Sequence, residues 1–476
     1  MKNAVEDLRQ MNVMGTADIK KLTLKMGLPM IISMALQALY NIVDSYFVSC
    51  MPSTAELPNI SDLAVNALTL AFPVQMLMVA VGVGTGVGIN AILSRSLGEG
   101  ESEKAAKIAG NSIFLGLCMF VLFLLFGVFG TEVYIKSQTS DPNIIKMGVE
   151  YLQICTIGSL GISMYMTFEK LLQATGKTMQ STIAQITGAI VNIILDPIMI
   201  FGLCGCPEMG IAGAAYATVI GQFVSFILDA VFHYKYNSKE FSTSLGFIKP
   251  RLQIIGQIYR VGIPAIIMQA LMSFMTYGVN VIFALVSTEA VTAYGIYYKI
   301  QQFVFFAAFG MNNAMIPIIA FNYGMKSKQR IKQGIKYGMI YTLIIMLAGG
   351  VLLQALANPI LSVFTLSDKT RELCVLAIRI VTTGYLFVGA NIAFQGIFQA
   401  LGNGTSSLAL SIVRLIAIPL PLAYALTFAL NAESLIWLSF PIGELCGFLV
   451  SLVLMRCISK RKIALLDRNT SEKQRN

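Results

Sequence analysis

The sequence predicts an all-α polytopic membrane protein: twelve transmembrane helices in two parallel, pseudo-symmetric six-helix bundles. Three observations carry this. Of 476 residues, 56% are hydrophobic and 12% charged, with a mean hydropathy of +0.72, whereas an ordinary soluble domain carries about 25% charged residues. Apolar runs near the roughly 20 residues that a bilayer requires recur along the chain. The chain also resembles itself at a fixed offset.

Residues 1–25 are polar and basic (Lys2, Arg9, Lys20, Lys21, Lys25) and read as a cytoplasmic segment. The spans follow at 26–49, 62–93, 106–130, 146–171, 178–203, 210–233, 256–286, 289–321, 334–357, 375–400, 405–430 and 434–457. The first run is too long for a cleavable signal, and no small-residue cleavage site follows it. Lys and Arg crowd the termini and the loops of one side, which predicts both termini in the cytoplasm. The net charge of +10 then faces anionic lipid, not nucleic acid. Residues 26–234 form the N-terminal lobe, 235–255 a cytoplasmic linker, 256–457 the C-terminal lobe and 458–476 a basic cytoplasmic tail.

The repeat gives this plan its symmetry. Ser61–Ala67 aligns with Ser287–Ala293 at an offset of 226, which also brings Gly98 onto Gly324, Gly176 onto Gly402 and Gly221 onto Gly447. Gly27–Ile32 aligns with Gly262–Ile267 at 235. Six spans per half is even, so both halves have one orientation, a transporter plan with a substrate cavity between repeats.

The most informative stretch is Asn192-Ile-Ile-Leu-Asp196-Pro197, inside a long apolar run. A carboxylate there costs about 2.5–3.5 kcal/mol on insertion scales. Asn192 and Asp196 share one helix face, and Pro197 deprives a carbonyl near position 193 of its donor. Acid, amide and carbonyl on one face suit a cation or proton; the plainer reading is a structural aspartate bonded to a neighbouring helix. Counting from the loops at about 1.5 Å per residue puts Asp44, Tyr151, Asp196 and Thr218 in one outer-half layer, with Asn192 a turn deeper. Two aspartates close together in low dielectric cannot both ionise cheaply, so protonation or cation binding would switch the favoured packing.

The C-terminal half has no such pair, because Asp44 aligns with Val279 and Asp196 with Leu422. It carries Lys299, Arg414 and Glu444, and a Glu444–Lys299 or Glu444–Arg414 pair would bury those charges simply. Glu444 reads either as half of a structural ion pair or as a cavity acid for cationic substrates. Gly82–Gly88 resembles a phosphate loop but lacks its strand and lysine, so close helix packing is expected. Cys204 and Cys206 read as packing or a loop disulfide. His233, Glu150, Glu169 and Asp229 read as interfacial, and Trp437 as an interface anchor. The 25 methionines and 28 phenylalanines would suit an adaptable cavity, though such residues more often line cores or face lipid. No catalytic histidine constellation is present, so no enzyme activity is expected.

With Asn192-x-x-x-Asp196-Pro197, Asp44 in Asn41-Ile-Val-Asp44, Pro317–Gly324 and the double six-span repeat, the chain resembles the multidrug and toxic compound extrusion (MATE) family, in its DinF/MepA-like bacterial branch. The resemblance implies a V-shaped pair of bundles and H⁺- or Na⁺-coupled efflux of organic, mostly cationic or amphipathic compounds. It implies a coupling site at Asp44, Tyr151, Asn192, Asp196 and Thr218, with Na⁺ at Asp44, Asn192 and Asp196 if that is the ion, and a first span that bends as the acids change protonation. Some relatives carry an acid in span 7; here that span offers Gln269, which with Lys299, Arg414 and Glu444 would contribute to a substrate cavity. No cofactor is expected, and the partners are small organic molecules and the bilayer of the bacterial cytoplasmic membrane, around a monomer. The rival readings are a lipid-linked precursor flippase of the related superfamily and a non-transporting membrane protein.

Overall fold

The computed structural model describes residues 12–52, 60–362, 364, 366–464 and 466. Parts of the predicted N-terminal segment and basic tail lie outside them, as does the side chain of Asn41. Among the described residues every regular element is a helix. In chain order these are α1 (Val13–Thr16), α2 (Ile19–Ser49), α3 (Ile60–Glu99), α4 (Ser102–Phe129), α5 (Thr131–Lys136), α6 (Pro142–Ile157), α7 (Leu160–Ala174), α8 (Thr178–Ile200) and α9 (Ile211–Tyr236). The second half follows with α10 (Leu252–Ala284), α11 (Thr288–Gly324), α12 (Lys328–Ala355), α13 (Ala357–Leu361), α14 (Asp368–Val381), α15 (Tyr385–Ala400), α16 (Gly404–Ile412), a π-helical turn Val413–Ala417, α17 (Pro419–Leu426), α18 (Ala432–Leu435) and α19 (Ser439–Ile458).

Ten helical segments among the described residues are long and apolar enough to cross a membrane. The other two predicted spans are α2 and the pair α6–α7, whose halves are separated at Gly158–Ser159. Twelve crossings are thus accounted for. Exposure supports the same reading. From Ala184 onward along α8 the buried positions are Ala184, Gly188, Asn192, Asp196 and Ile200, while Ile190 and Ile194 on the opposite face are 51% and 54% exposed. Polar atoms turn inward and apolar side chains outward, because lipid is the surrounding solvent and leaves no other partner for a polar group.

The repeat holds at the level of backbone conformation. Gly176 and Gly402 are both left-handed (φ +82° and +70°), and the same bonds close both turns. Lys177 N donates to Leu172 O at 2.9 Å, and Asn403 N to Phe398 O at 2.7 Å. A left-handed residue after a helix favours glycine, which has no Cβ to clash. Gly100 and its counterpart Lys326 are also left-handed (φ 78° and 58°). Asp141 and Ser367, again 226 apart, cap α6 and α14 through their side chains. The break at Gly158 recurs at Gly384, where a 3₁₀ turn separates α14 from α15.

Packing divides the chain into two compact units, Ile32–Leu93 with Glu101–Ile258, and Met1–Ile31, Ser94–Gly100 and Tyr259–Asn476. In the first, Asn111 Oδ1 accepts from Arg251 N at 2.7 Å, tying the segment before α10 to α4. In the second, Asn322 Nδ2 and Arg330 Nη2 donate to Met14 O at 3.1 and 3.0 Å, tying α1 to α11 and α12. The core of the second unit is aromatic. Trp437 is fully buried, meets Phe283 edge-on at 4.9 Å and donates to Glu433 O at 3.0 Å. The sequence reading made it an interface anchor because it lies near a span start; the ring points into the bundle instead.

Candidate functional site

The first unit holds the five residues predicted to couple transport to a cation. Asn192 and Asp196 lie on the buried face of α8, where Asn192 Nδ2 donates to Asp196 Oδ1 at 3.2 Å and to Thr218 Oγ1 of α9 at 3.4 Å. Asp196 is fully buried, and Asn192 and Thr218 nearly so. The two helices touch closely here. A Cβ on Gly188 would lie 1.9 Å from Ser225 Oγ and 2.4 Å from Gly221 O, so only glycine permits this separation.

Tyr151 of α6 is buried and its hydroxyl accepts from Gln75 Nε2 of α3 at 3.1 Å. Asp44, in the second half of α2, is partly buried and within electrostatic reach of Tyr151, Cys155 and Asp196. Asp44 Oδ1, Asp196 Oδ2 and Asn192 Oδ1 are all buried without a hydrogen-bond partner. Buried polar atoms are satisfied in most proteins, so three orphan oxygens on residues of which Asp44 and Asp196 lie within electrostatic reach of each other set this locus apart. Sequence reasoning missed Gln75: a single amide in a forty-residue helix has no periodic companion to mark its face.

The second unit contains a charge network of another kind. Arg414 Nε and Nη2 donate to Glu444 Oε1 at 3.0 and 2.7 Å. Asn391 Nδ2 donates to Glu444 Oε2 at 2.7 Å, and Gln395 Nε2 to Ser411 Oγ at 2.6 Å. Arg414 lies on the π-helical turn that precedes Pro419. Of the two pairings open to Glu444, Arg414 is the one formed. Lys299 is exposed on α11 and Gln269 partly exposed on α10; neither joins the network. Asn391 and Gln395 were not anticipated, although with Gln399 they recur every four residues, a spacing that places them on one face.

Several expectations require correction. Asp229 is not interfacial: it is fully buried, and neither carboxylate oxygen has a partner. His233 is buried and bonded to Asn237 at 2.9 Å. Glu169 and Lys170 are a largely buried pair, with Gln173 between them, accepting from Lys170 Nζ at 2.9 Å and donating to Glu169 at 2.6 Å. Counting residues gave their depth but not their rotation about the helix axis. Cys204 and Cys206 are free thiols. In the Gly82–Gly88 stretch, Gly82 faces Met166 and Gly86 the stem of Lys170, so those glycines serve helix packing. A groove of about 710 Å³ is lined by residues including Glu132, Lys146, Glu150, Gln153 and Tyr216, and none of the five predicted site residues borders it.

Comparison with known proteins adds an independent line. The family model MatE matches twice, over residues 29–198 and 264–425, once in each half. The multidrug export protein MepA of Staphylococcus aureus (strain MRSA252) is 24% identical over 433 residues, covering 91% of this chain and 93% of that protein. A solved outward-facing multidrug resistance MATE family transporter of the MOP superfamily superposes with a TM-score of 0.86 at 24% identity, covering 98% of this chain and 99% of that one. A MOP superfamily transporter from Pyrococcus furiosus superposes with a TM-score of 0.85 at 24% identity, covering 98% of each chain.

Proposed function

The chain belongs to the MATE family, a family of transporters and not of enzymes, and from that premise we propose that it is a cation-coupled multidrug efflux antiporter. Protons or Na⁺ enter from outside to a site made by Asp44, Tyr151, Asn192, Asp196 and Thr218. Their binding lowers the affinity for an organic, mostly cationic or amphipathic solute, and their release inward resets the protein. The observation that carries this is the orphan oxygen set of Asp44, Asn192 and Asp196.

The residues fit the task chemically. Asp196 Oδ1 is engaged by Asn192, which leaves Oδ2 free to bind the ion. Oxygen donors from carboxylate and amide suit a hard monovalent cation, and a carboxylate equally takes a proton. Either event removes a buried charge, and the helices around it then repack. A unit charge moved through 100 mV releases about 2.3 kcal/mol, and about 1.4 kcal/mol is a tenfold concentration ratio. One or two ions therefore suffice for a useful gradient. We place the protein in the bacterial cytoplasmic membrane with both termini inside, following the Lys and Arg bias.

The decisive experiment replaces Asp196 by Asn, an isostere of the protonated acid. Ethidium efflux from cells and from proteoliposomes under an imposed pH or Na⁺ gradient should be abolished, with the protein still inserted and folded. Wild-type efflux in Asp196→Asn would overturn the mechanism.

A further inference from the structure

One face of α9 carries Thr218, Gly221, Ser225, Asp229 and His233, all buried. Their spacing of three and four residues makes a single stripe along the helix. At its outer end Thr218 touches Asn192 of the coupling site. In the middle, Ser225 Oγ donates to Ala184 O of α8 at 3.2 Å, beside the contact of Gly188 with Gly221. No side chain can enter that contact, because even a Cβ on Gly188 would collide with Ser225. Further on stands Asp229, fully buried, with both carboxylate oxygens unpartnered. Asp229 follows Thr218 by eleven residues in α9, roughly 16 Å along the axis at about 1.5 Å per residue. His233 lies one turn beyond it, and its Nδ1 meets Asn237 at the end assigned to the cytoplasm.

We propose that Asp229 is a second ion station of the first bundle, through which a coupling proton passes from Asp196 toward the cytoplasm. The inference deepens the antiport reading above and rests on it. In the step, Asp229 first yields a proton inward past His233; the O–H bond at the Asp196 carboxyl then breaks and one forms at the Asp229 carboxylate, the proton being handed along water molecules admitted when α8 and α9 part at the Gly188–Gly221 contact, each water giving up one proton as it takes another. Asp196 is left as an anion able to accept the next ion, and Asp229 holds a proton again, ready for the next release inward.

The surroundings of Asp229 are suited to a group that is charged only in passing. From α7 it faces Glu169 and Lys170, within electrostatic reach but already joined to each other and to Gln173. From its own helix it has His233. α8 offers no titratable side chain at this depth, and Lys177 at its start is paired with Glu240 at 3.0 Å. The titratable groups of α6, Lys146, Glu150, Tyr151 and Cys155, lie in the outer half of the span. A carboxylate without a fixed counter-ion pays the full desolvation cost when charged, so Asp229 need not be charged at rest to hold the fold. A structural acid would instead be bonded.

The test uses the full-length protein in proteoliposomes with ethidium as the probe. Asp229→Asn should slow net transport driven by a pH gradient by about tenfold or more, equivalent to at least ~1.4 kcal/mol in the limiting barrier. Exchange of labelled for unlabelled ethidium at equal pH on both sides, which needs no proton release, should remain within about twofold of wild type. Asp229→Glu should restore net transport with a shifted dependence on the pH of the cytoplasmic side. Wild-type net transport in Asp229→Asn overturns the proposal. So does equal loss of exchange and net transport, which would mark a structural role, and so does Na⁺-driven transport that ignores pH. Failure of the parent reading is separately visible, as wild-type net transport in Asp196→Asn.

Discussion

At the scale of single residues, the two bundles handle buried charge in opposite ways. Asp44, Asp196 and Asp229 keep unpartnered oxygens, whereas Arg414 and Glu444 satisfy each other and recruit Asn391 and Gln395. Removing one member of a buried pair strands the other, at a cost of about 3–5 kcal/mol. Glu444→Gln should therefore lower the thermal midpoint of the detergent-purified protein clearly. A double replacement, Arg414→Met with Glu444→Leu, should recover most of that loss, because an apolar pair of similar volume is often neutral or better. Thermal unfolding monitored by fluorescence checks both. Failure of the double variant to exceed Glu444→Gln would mean that the network stabilises by more than mutual neutralisation. Asn192 and Asp196 were legible in the sequence as a shared face because four residues make one helical turn. That this face points inward, and that Asp229 and His233 share an inward face, could not be read from spacing. Both depend on rotation about the axis, which only neighbouring helices decide.

At the scale of elements, the approach of α8 to α9 is the feature on which the proposed coupling site depends. It exists because Gly188 and Gly221 let the backbones meet, and it holds Asn192 within reach of Thr218. Gly188→Leu should displace α9, with a stability cost of about 1–3 kcal/mol from overpacking and loss of pH-driven ethidium transport. Gly188→Ala should show the same direction more weakly. Transport and thermal unfolding measured on both variants would reveal it; wild-type transport in Gly188→Leu would refute the dependence. The helices were largely legible from length and hydropathy, and the shared backbone of the Gly176 and Gly402 turns agrees with the repeat read at that offset. The split between α6 and α7 was not legible. It lies at Gly158–Ser159, with no proline to announce it and apolar residues on both sides.

At the scale of the whole molecule, orientation remains a matter of charge bias, and the native cysteines offer a direct check. Cys204 is exposed in the loop after α8, and Cys457 is exposed near the end of α19. With both termini inside, a membrane-impermeant maleimide applied to intact cells should label a variant that retains only Cys204 and leave one that retains only Cys457 unlabelled until the cells are opened. The reverse pattern would invert the topology and with it the direction assigned to proton flow.

The repeat also shows what became of a duplicated seam. At an offset of 226, Arg414 stands where the first half has Gly188, and Glu444 where it has Thr218. A Cβ on Gly447, the counterpart of Gly221, would press within 3.0 Å of the Arg414 Cβ. One copy of the contact is bare, so its two helices touch like the leaves of a valve. In the other copy the gap is wedged by a bonded guanidinium and acid, as a strut braces a frame. Work done by the ion would then fall on the bare copy, leaving the braced one free to diverge in the shape of what it accepts.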